Sequence, residues 1–388
     1  MFVIRLVLKN LFRHKLRTTL TIIGIAIAVL SFGFIRTVVT AWSAGVEASA
    51  ANRMITRHNV SFVFPLPLSY RDQIGQVPGV DLVSFAIWFN GSYKDPNDWK
   101  NFFPRLGVDA DTYFDLYPEY LVAPQELETF KRERNSCIVG AKLAQEQNLK
   151  VGDILPIEGD IYPGRWEFVI RGIYRGKDPS ADETQMFFHW KYVDERLAQT
   201  QPGRTGLVGW YIMRVQNPDQ MPQVAQAVDA RFLNSRAPTK TETEKEFQQS
   251  FVSMSSAIIK SLDAVSVVIV GIILLVLANT IVMSARERTR EYAVLKTLGF
   301  RPFHIIGLIG GESILISGIG GILGLALTYP LSHTFGQAFP TLFPIFRVQT
   351  VTLLLAGAVA AVAAIVAAVF PTIRTLRIKI SDALRAIG

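Results

Sequence analysis

Residues 264–284 read AVSVVIVGIILLVLANTIVMS, with no charged side chain in the run. A helix crossing the ~30 Å hydrocarbon core of a bilayer needs about 20 mostly apolar residues, because only the helix itself can satisfy the backbone N–H and C=O groups there. This run has that length. The next residues, ARERTREYAVLKTLGF over 285–300, change character at once and are rich in charge. A span that ends on a basic segment marks a membrane boundary and also its side, so the rest of the chain can be sorted from this point.

Working outward, three more apolar blocks appear, one near the start and two toward the end. The expectation is four transmembrane helices, at 20–42, 257–284, 303–331 and 351–371. The first contains LTIIGIAIAVLSFGFIRTVVTA from Leu20. A cleaved signal peptide is the alternative reading of that block, but the run exceeds the 7–15 apolar residues usual for one. Arg36 sits near its outer end, where a long side chain reaches toward headgroups.

Orientation follows from where the lysines and arginines lie. The N-terminal segment 1–19 carries Arg5, Lys9, Arg13, Lys15 and Arg17 without an acid. Segment 285–302 carries Arg286, Arg288, Arg290, Lys296 and Arg301 against Glu287 and Glu291. The tail 372–388 carries Arg374, Arg377, Lys379 and Arg385 against Asp382. The formal net charge of the chain is +8, and these three segments hold more than all of it, so the remainder is net acidic. The basicity is therefore a topology signal, and its distribution argues against a nucleic-acid-binding reading. Both termini are expected in the cytoplasm. Residues 43–256 are expected as an extracytoplasmic domain, with a second outer loop at 332–350. The fold class is a membrane protein: four transmembrane α-helices plus a large α+β extracytoplasmic domain inserted between helices 1 and 2.

The inserted domain alternates short strand-like and helix-like runs. Trp166–Tyr174 (WEFVIRGIY) and Gly209–Val215 read as strands, rich in β-branched and aromatic residues. Asn217-Pro218 reads as a helix start, with Asn as cap and Pro in the first turn. Thr241–Asp263 is polar, helix-prone and free of Gly and Pro, and reads as a helical stalk running into the second span.

A catalytic or metal site is not expected. Cys137 is the only cysteine, which leaves no intramolecular disulfide and no cysteine metal site. His58 and His189 stand alone. Asp109 with Asp111, and Asp178 with Asp182, lack the Ca²⁺-loop pattern and read as loop caps. No G-x-x-x-x-G-K-[ST] phosphate loop occurs.

Two features point inside and beneath the membrane. Small residues four apart, Gly307/Gly311, Ser317/Gly321 and Gly320/Gly324 in span three and Ala356, Ala360, Ala364 and Ala368 in span four, allow close helix approach. Glu312 is the one acid deep in a span, a position read as structural or functional rather than incidental.

Four stretches resemble the FtsX-like, MacB-type permease family: KNLFRHKLRTTLTIIGIAIAV at the start, ARERTREYAVLKTLGF after span two, ESILISGIGGILGLALT in span three and PTIRTLRIKISDALRAIG at the end. They occur in the family's order, and GAKLAQEQNLKVGDIL resembles its outer domain. The resemblance implies an ABC transporter permease in the bacterial cytoplasmic (inner) membrane. It implies a second permease subunit, identical or related, and two copies of an ATPase. Because the chain begins almost directly at span one, that ATPase is expected as a separate subunit, which would hold the ATP and Mg; this chain is expected to need no cofactor. A periplasmic adaptor and membrane lipid are the other expected partners. The implied activity is mechanotransmission, in which ATP hydrolysis moves the outer domain to drive export or extraction of a substrate. FtsX-like signalling to a cell-wall hydrolase is the alternative. In the cytoplasmic segment after span two, charged residues flank an apolar set at spacings that allow an amphipathic helix, lying on the membrane surface or docked in a cleft of the ATPase; the resemblance implies docking, through Glu287, Arg288, Arg290, Glu291, Val294, Leu295 and Leu298.

Overall fold

The computed structural model describes residues 15–47, 50–98, 101–178, 181–287, 291, 294–295, 297–339, 343 and 345–376. They fall into two units. One comprises the described residues within Met1–Ala41, Ser255–Ala338 and Phe346–Gly388; the other is Trp42–Met254 with Phe339–Ile345.

The helices are α1 (Lys15–Glu47), α2 (Tyr70–Gly75), α3 (Tyr113–Leu116), α4 (Pro124–Arg132), α5 (Ala141–Gln147), α6 (Trp190–Thr200), α7 (Met221–Phe232), α8 (Glu244–Met254), α9 (Ser256–Glu287), α10 (Pro302–Ala338) and α11 (Thr350–Leu376). The strands are β1 (Arg53–His58), β2 (Leu66–Pro67), β3 (Val80–Trp88), β4 (Gly91–Ser92), β5 (Arg105–Val108), β6 (Tyr120–Leu121), β7 (Ser136–Gly140), β8 (Ile154–Gly159), β9 (Gly164–Gly176), β10 (Met186–His189), β11 (Leu207–Val208), β12 (Trp210–Val215) and β13 (Thr239–Thr243).

Among the described residues three stretches are long and apolar enough to cross a membrane: Lys15–Trp42, Ser256–Ser284 and Ile306–Ala338. A fourth apolar helical stretch, Thr350–Val366, is shorter. In the helical unit, Ile25, Val29, Ile273, Leu277, Ile281, Ile316, Ala356, Ala360 and Ala364 form the buried cluster, drawn from all four long helices. The large side chains on the remaining faces, such as Leu275, Ile322 and Leu354, are exposed. Apolar side chains turned outward are what a lipid environment favours.

The inserted unit is built on one mixed sheet, in the order β13-β1-β12-β3-β5-β10-β7-β9-β8-β4, with β6 also pairing β9. β5 and β10 run parallel, as do β7 and β9. The central strands are apolar on both faces because both are covered. Met186 and Phe188 of β10 enter one core and Phe187 the other; Cys137 and Val139 of β7 face opposite to Ile138. That is why these strands read as continuous apolar runs rather than alternating ones. β9 extends past the expected Trp166–Tyr174 at both ends, to Gly164 and Gly176. At Asn217 the side chain accepts from the Asp219 N–H and opens a 3₁₀ turn that leads into α7.

The stalk differs from the sequence reading. Thr239–Thr243 is an edge strand paired to β1, so the helix starts at Glu244 rather than Thr241. Alternating threonines explain the strand: Thr241 shares a hydroxyl contact of 2.9 Å with Thr56, and the Thr239 and Thr241 hydroxyls both donate to Asp229. Asp229 also accepts from the Thr241 N–H, which blocks the free edge. A reciprocal cap then starts α8, with Thr243 N–H donating to Glu246 and Glu246 N–H to the Thr243 hydroxyl. A single turn residue, Ser255, separates α8 from α9.

Candidate functional site

Polar side chains join the long helices at one end of the helical unit. Arg17 Nη1 of α1 donates to Glu287 Oε2 of α9 at 2.8 Å. Four residues along α1, the Thr21 hydroxyl meets that of Thr280 at 3.1 Å. Ser284 of α9 donates to Glu312 Oε1 of α10 at 3.1 Å, inside the packed helices. Glu312 is thus buried and takes part in interhelical bonding, and Glu287, expected to dock on an ATPase, pairs with Arg17 while keeping 42% of its side chain exposed.

Beyond Glu287, the described residues 291, 294–295 and 297 are helical, and the segment closes at Gly299. Gly299 has φ +86°, and the Phe300 N–H donates to the Leu295 carbonyl. This is the glycine-terminated helix end that the left-handed conformation permits. Leu295 packs against the helical core, whereas Val294 is 49% and Leu298 70% exposed. The apolar set therefore splits: one leucine belongs to the chain's own interior and two side chains face outward. Glu291 is helical and exposed, while Arg288 and Arg290 lie outside the described residues.

The small residues of α10 divide in the same way. A Cβ on Gly320 would come within 2.9 Å of Ile25, and one on Gly324 within 2.6 Å of the Ala26 carbonyl oxygen, so both lie against α1. A Cβ on Gly321 would stand 3.2 Å from Ala360 of α11. Ser313 and Ser317 donate to the carbonyls of Ala364 and Ala360 at 2.8 and 2.7 Å, which seats α11 on α10. At Gly307, by contrast, an added Cβ would meet nothing within 4 Å among the described residues, so this glycine does not mediate close approach within the chain. Gly311 is half-buried in α10. The Ala368 side chain lies outside the described set.

Two further arginines, Arg36, expected to reach toward headgroups, and Arg53, for which the sequence suggests no role, have acidic partners. Arg36 donates to Asp263 of α9 at 2.8 Å rather than reaching out alone. Arg53, at the first residue of β1, is buried among acids. Its Nε donates to Glu244 Oε2 at 2.9 Å, Nη1 and Nη2 grip both oxygens of Glu119 at 3.0 and 2.6 Å, and Nη1 also reaches the Leu116 carbonyl. The Tyr117 ring lies 4.0 Å beneath it. Burial acts against the charge on Arg53, but the Glu119 bonds and the field of Tyr117 and Glu244 outweigh it and hold its pKa above the ordinary value. Glu244 accepts in addition from the Ala50 N–H and the Tyr117 hydroxyl. A fully bonded, charged cluster thus sits where the chain enters the inserted unit and where it leaves.

Elsewhere the acids and histidines act as caps. Asp109 accepts from Thr112 and pairs with Arg71, and Asp182 accepts from Thr184 and Gln185. His189 accepts the Lys191 N–H at the start of α6; burial, then the nearby Arg134, lowers its pKa to about 4. A cavity of about 410 Å³ lies beside Arg71, Asp109 and His189. Among the described residues no cluster of His, Cys, Asp and Glu is arranged to hold a metal.

The FtsX-like permease C-terminal family model matches residues 264–380, and the MacB-like periplasmic core domain model matches residues 18–231. The chain belongs to the MacB/FtsX-type family of ABC transporter permeases, membrane proteins with a periplasmic core domain. An uncharacterized ABC transporter permease of Methanocaldococcus jannaschii is 22% identical over 349 residues, covering 84% of this chain and 82% of the relative. The pyoverdine export ATP-binding/permease protein PvdT of Pseudomonas putida is 23% identical over 336 residues, 81% of this chain and 49% of that protein. The macrolide export ATP-binding/permease protein MacB of Bordetella avium is 27% identical over 128 residues, 31% of this chain and 19% of that protein. The chain thus spans about half the length of PvdT. The crystal structure of the periplasmic region of MacB from Actinobacillus actinomycetemcomitans superposes with a TM-score of 0.39 at 9% identity, over 53% of this chain and 95% of that one.

Proposed function

We propose that this chain is the membrane subunit of an ABC transporter that passes movement from an ATPase to the periplasmic core domain, with four spans and both termini in the cytoplasm of a bacterial inner-membrane protein. It works as a pair of permease subunits on two copies of a separate ATPase, which holds ATP and Mg; the chain itself takes no cofactor. The observation that carries this reading is the exposed pair Val294 and Leu298, held on a helical segment that Gly299 closes. An apolar patch on a basic, positive-inside segment is suited to a cleft in a partner. The work done is export or extraction of a substrate, in line with the names of the pyoverdine and macrolide relatives. Gly320, Gly321 and Gly324 pack the helices that transmit the movement, and Glu312 joins α10 to α9.

The test is Leu298→Asp in the full chain. It should leave membrane insertion unchanged and reduce co-purification of the ATPase by about tenfold or more, because burying an unpaired carboxylate in an apolar contact costs several kcal/mol. Leu295→Asp is the unsuitable choice, since Leu295 packs on the chain's own core. Undiminished association and undiminished transport with Leu298→Asp would mean that this segment only lies on the membrane.

A further inference from the structure

The cavity beside Arg71, Asp109 and His189 lies at a particular place in the sheet of the inserted unit, and all of its walls come from that unit. β5 and β10 are adjacent and parallel, and Val108 pairs with His189 where both strands end. The chain then leaves the two strands in opposite directions. After β5, α3 packs Tyr113, Phe114 and Leu116 into one core; after β10, α6 packs Trp190, Val193 and Leu197 into the other. Parallel neighbours whose connections diverge to opposite faces leave a crevice at their carboxyl ends that no helix covers, and sheets of this kind hold ligands there. The cavity, of about 410 Å³, occupies that crevice. Small-molecule sites commonly measure about 300–1,000 Å³.

The walls divide by chemistry. Leu68, Phe85, Val108 and Trp190 supply the apolar surface, with the Phe85 and Trp190 rings edge to face at 5.1 Å. Arg71 pairs with the buried Asp109 at 2.7 Å, so these two charges neutralise each other. His189 accepts the Lys191 N–H, and burial holds its pKa at about 4, which leaves the ring uncharged near neutral pH. Arg134, which contacts His189 at 2.8 Å, has Glu195 as its own partner at 3.5 Å. Three charged side chains of the lining remain: Asp72, Asp111 and Lys191. All three are exposed, and none has an ion-pair partner among the described residues. Two acids against one base give the cavity a surplus negative charge beside an apolar surface.

We propose that this cavity binds a small organic cation, an ammonium or guanidinium group on a short apolar body. The body takes the apolar walls, and the charged group donates to the Asp72 and Asp111 carboxylates. A neutral molecule of the same shape gains only the apolar contact. An anion gains Lys191 but meets both carboxylates, so the site discriminates by charge as well as by shape.

The test is calorimetric titration of the purified full-length chain in lipid nanodiscs with four probes that share one apolar body: phenethylamine, phenethyl alcohol, hydrocinnamate and phenylalanine. Agmatine serves as a guanidinium probe. Phenethylamine should bind saturably and about tenfold more tightly than the alcohol or the anion. Asp72→Asn and Asp111→Asn should each weaken it by about threefold, the scale of one exposed charge contact. Ser69→Trp should abolish binding, because Ser69 lines the cavity and its hydroxyl makes no capping bond to α2. Glu128→Gln, an exposed acid on α4, should change nothing. The melting temperature of each variant should match that of the native chain, which separates lost binding from lost folding; if Ser69→Trp melts early, the two Asn variants carry the test. Absence of saturable binding by both phenethylamine and agmatine at millimolar concentration overturns the proposal. So does equal or tighter binding of the alcohol, the anion or the zwitterion, and so does cation binding that survives both Asn variants unchanged. The result is independent of ATPase docking, which the Leu298→Asp experiment tests separately.

Discussion

Arg53 shows how much depends on one side chain's surroundings. It has 5% of its side chain exposed, and Glu244 has 7%. Removing the guanidinium would leave the Glu244 carboxylate buried with only the Ala50 N–H and the Tyr117 hydroxyl for partners. Loss of one member of a buried pair costs about 3–5 kcal/mol. Arg214 and Asp81 form a pair at a similar distance, 2.7 Å, but with 36% and 40% of their side chains exposed. An exposed pair contributes about 0–1 kcal/mol, because water and salt screen it and two side chains must be ordered to make it. Arg53→Ala should therefore lower the thermal melting of the inserted domain in the full chain far more than Arg214→Ala. Equal shifts for the two variants would show that the cluster around Arg53 is not a stabilising core feature.

At the scale of elements, α10 presents two kinds of glycine. Gly320 and Gly324 meet α1 so closely that a single added carbon would collide with backbone oxygens, of Ile22 and Ala26 respectively. Gly318 and Gly307 have nothing within 4 Å of where a Cβ would stand, among the described residues. Glycine is a poor helix former, so those that α10 carries on the α1 face are explained by approach, not propensity. Gly324→Val should force α1 away from α10 and destabilise the helical unit by about 1–3 kcal/mol, the usual cost of overpacking, or more where backbone must move. Gly318→Val should be tolerated. The check is the melting temperature of the purified full chain in detergent; a Gly324→Val protein as stable as the Gly318→Val protein would remove the close approach of α1 and α10.

For the whole molecule, the basic segments and the inserted domain should lie on opposite sides of the membrane. With Cys137→Ala as background, Glu195→Cys, on an exposed face of α6, should react with an impermeant thiol reagent in cells whose inner membrane is intact. Thr297→Cys, exposed beside Leu298, should react only after that membrane is opened. The reverse pattern would turn the protein over and remove the docking assignment with it. The division into two units also separates two kinds of stabilisation. The inserted unit buries Trp166, Phe168, Phe187 and Phe188 completely, as a water-soluble core does, whereas the helical unit buries small residues and hydroxyls and turns its large apolar side chains outward.

What the sequence determined by itself was whatever depends on local composition. Apolar length marked the long helices, and the two-glycine spacing Gly320/Gly324 marked a packing face, because each of these is a property of neighbouring residues in one element. The order of the four family-like stretches gave the family, which the matches at 18–231 and 264–380 show. Tertiary structure decided which residues meet across long separations. Nothing in TETEK at 241–245 distinguishes helix from strand until β1 offers Thr56 opposite Thr241. Leu295 and Leu298 are alike in sequence, and only the folded chain shows that one packs on the helical core while the other is exposed. Arg36 read as a charge reaching for headgroups, and Arg53 drew no reading at all, because their partners, Asp263 and Glu244, lie some two hundred residues on. A buried charge demands a partner, but the physics of that demand carries no information about where along the chain the partner stands.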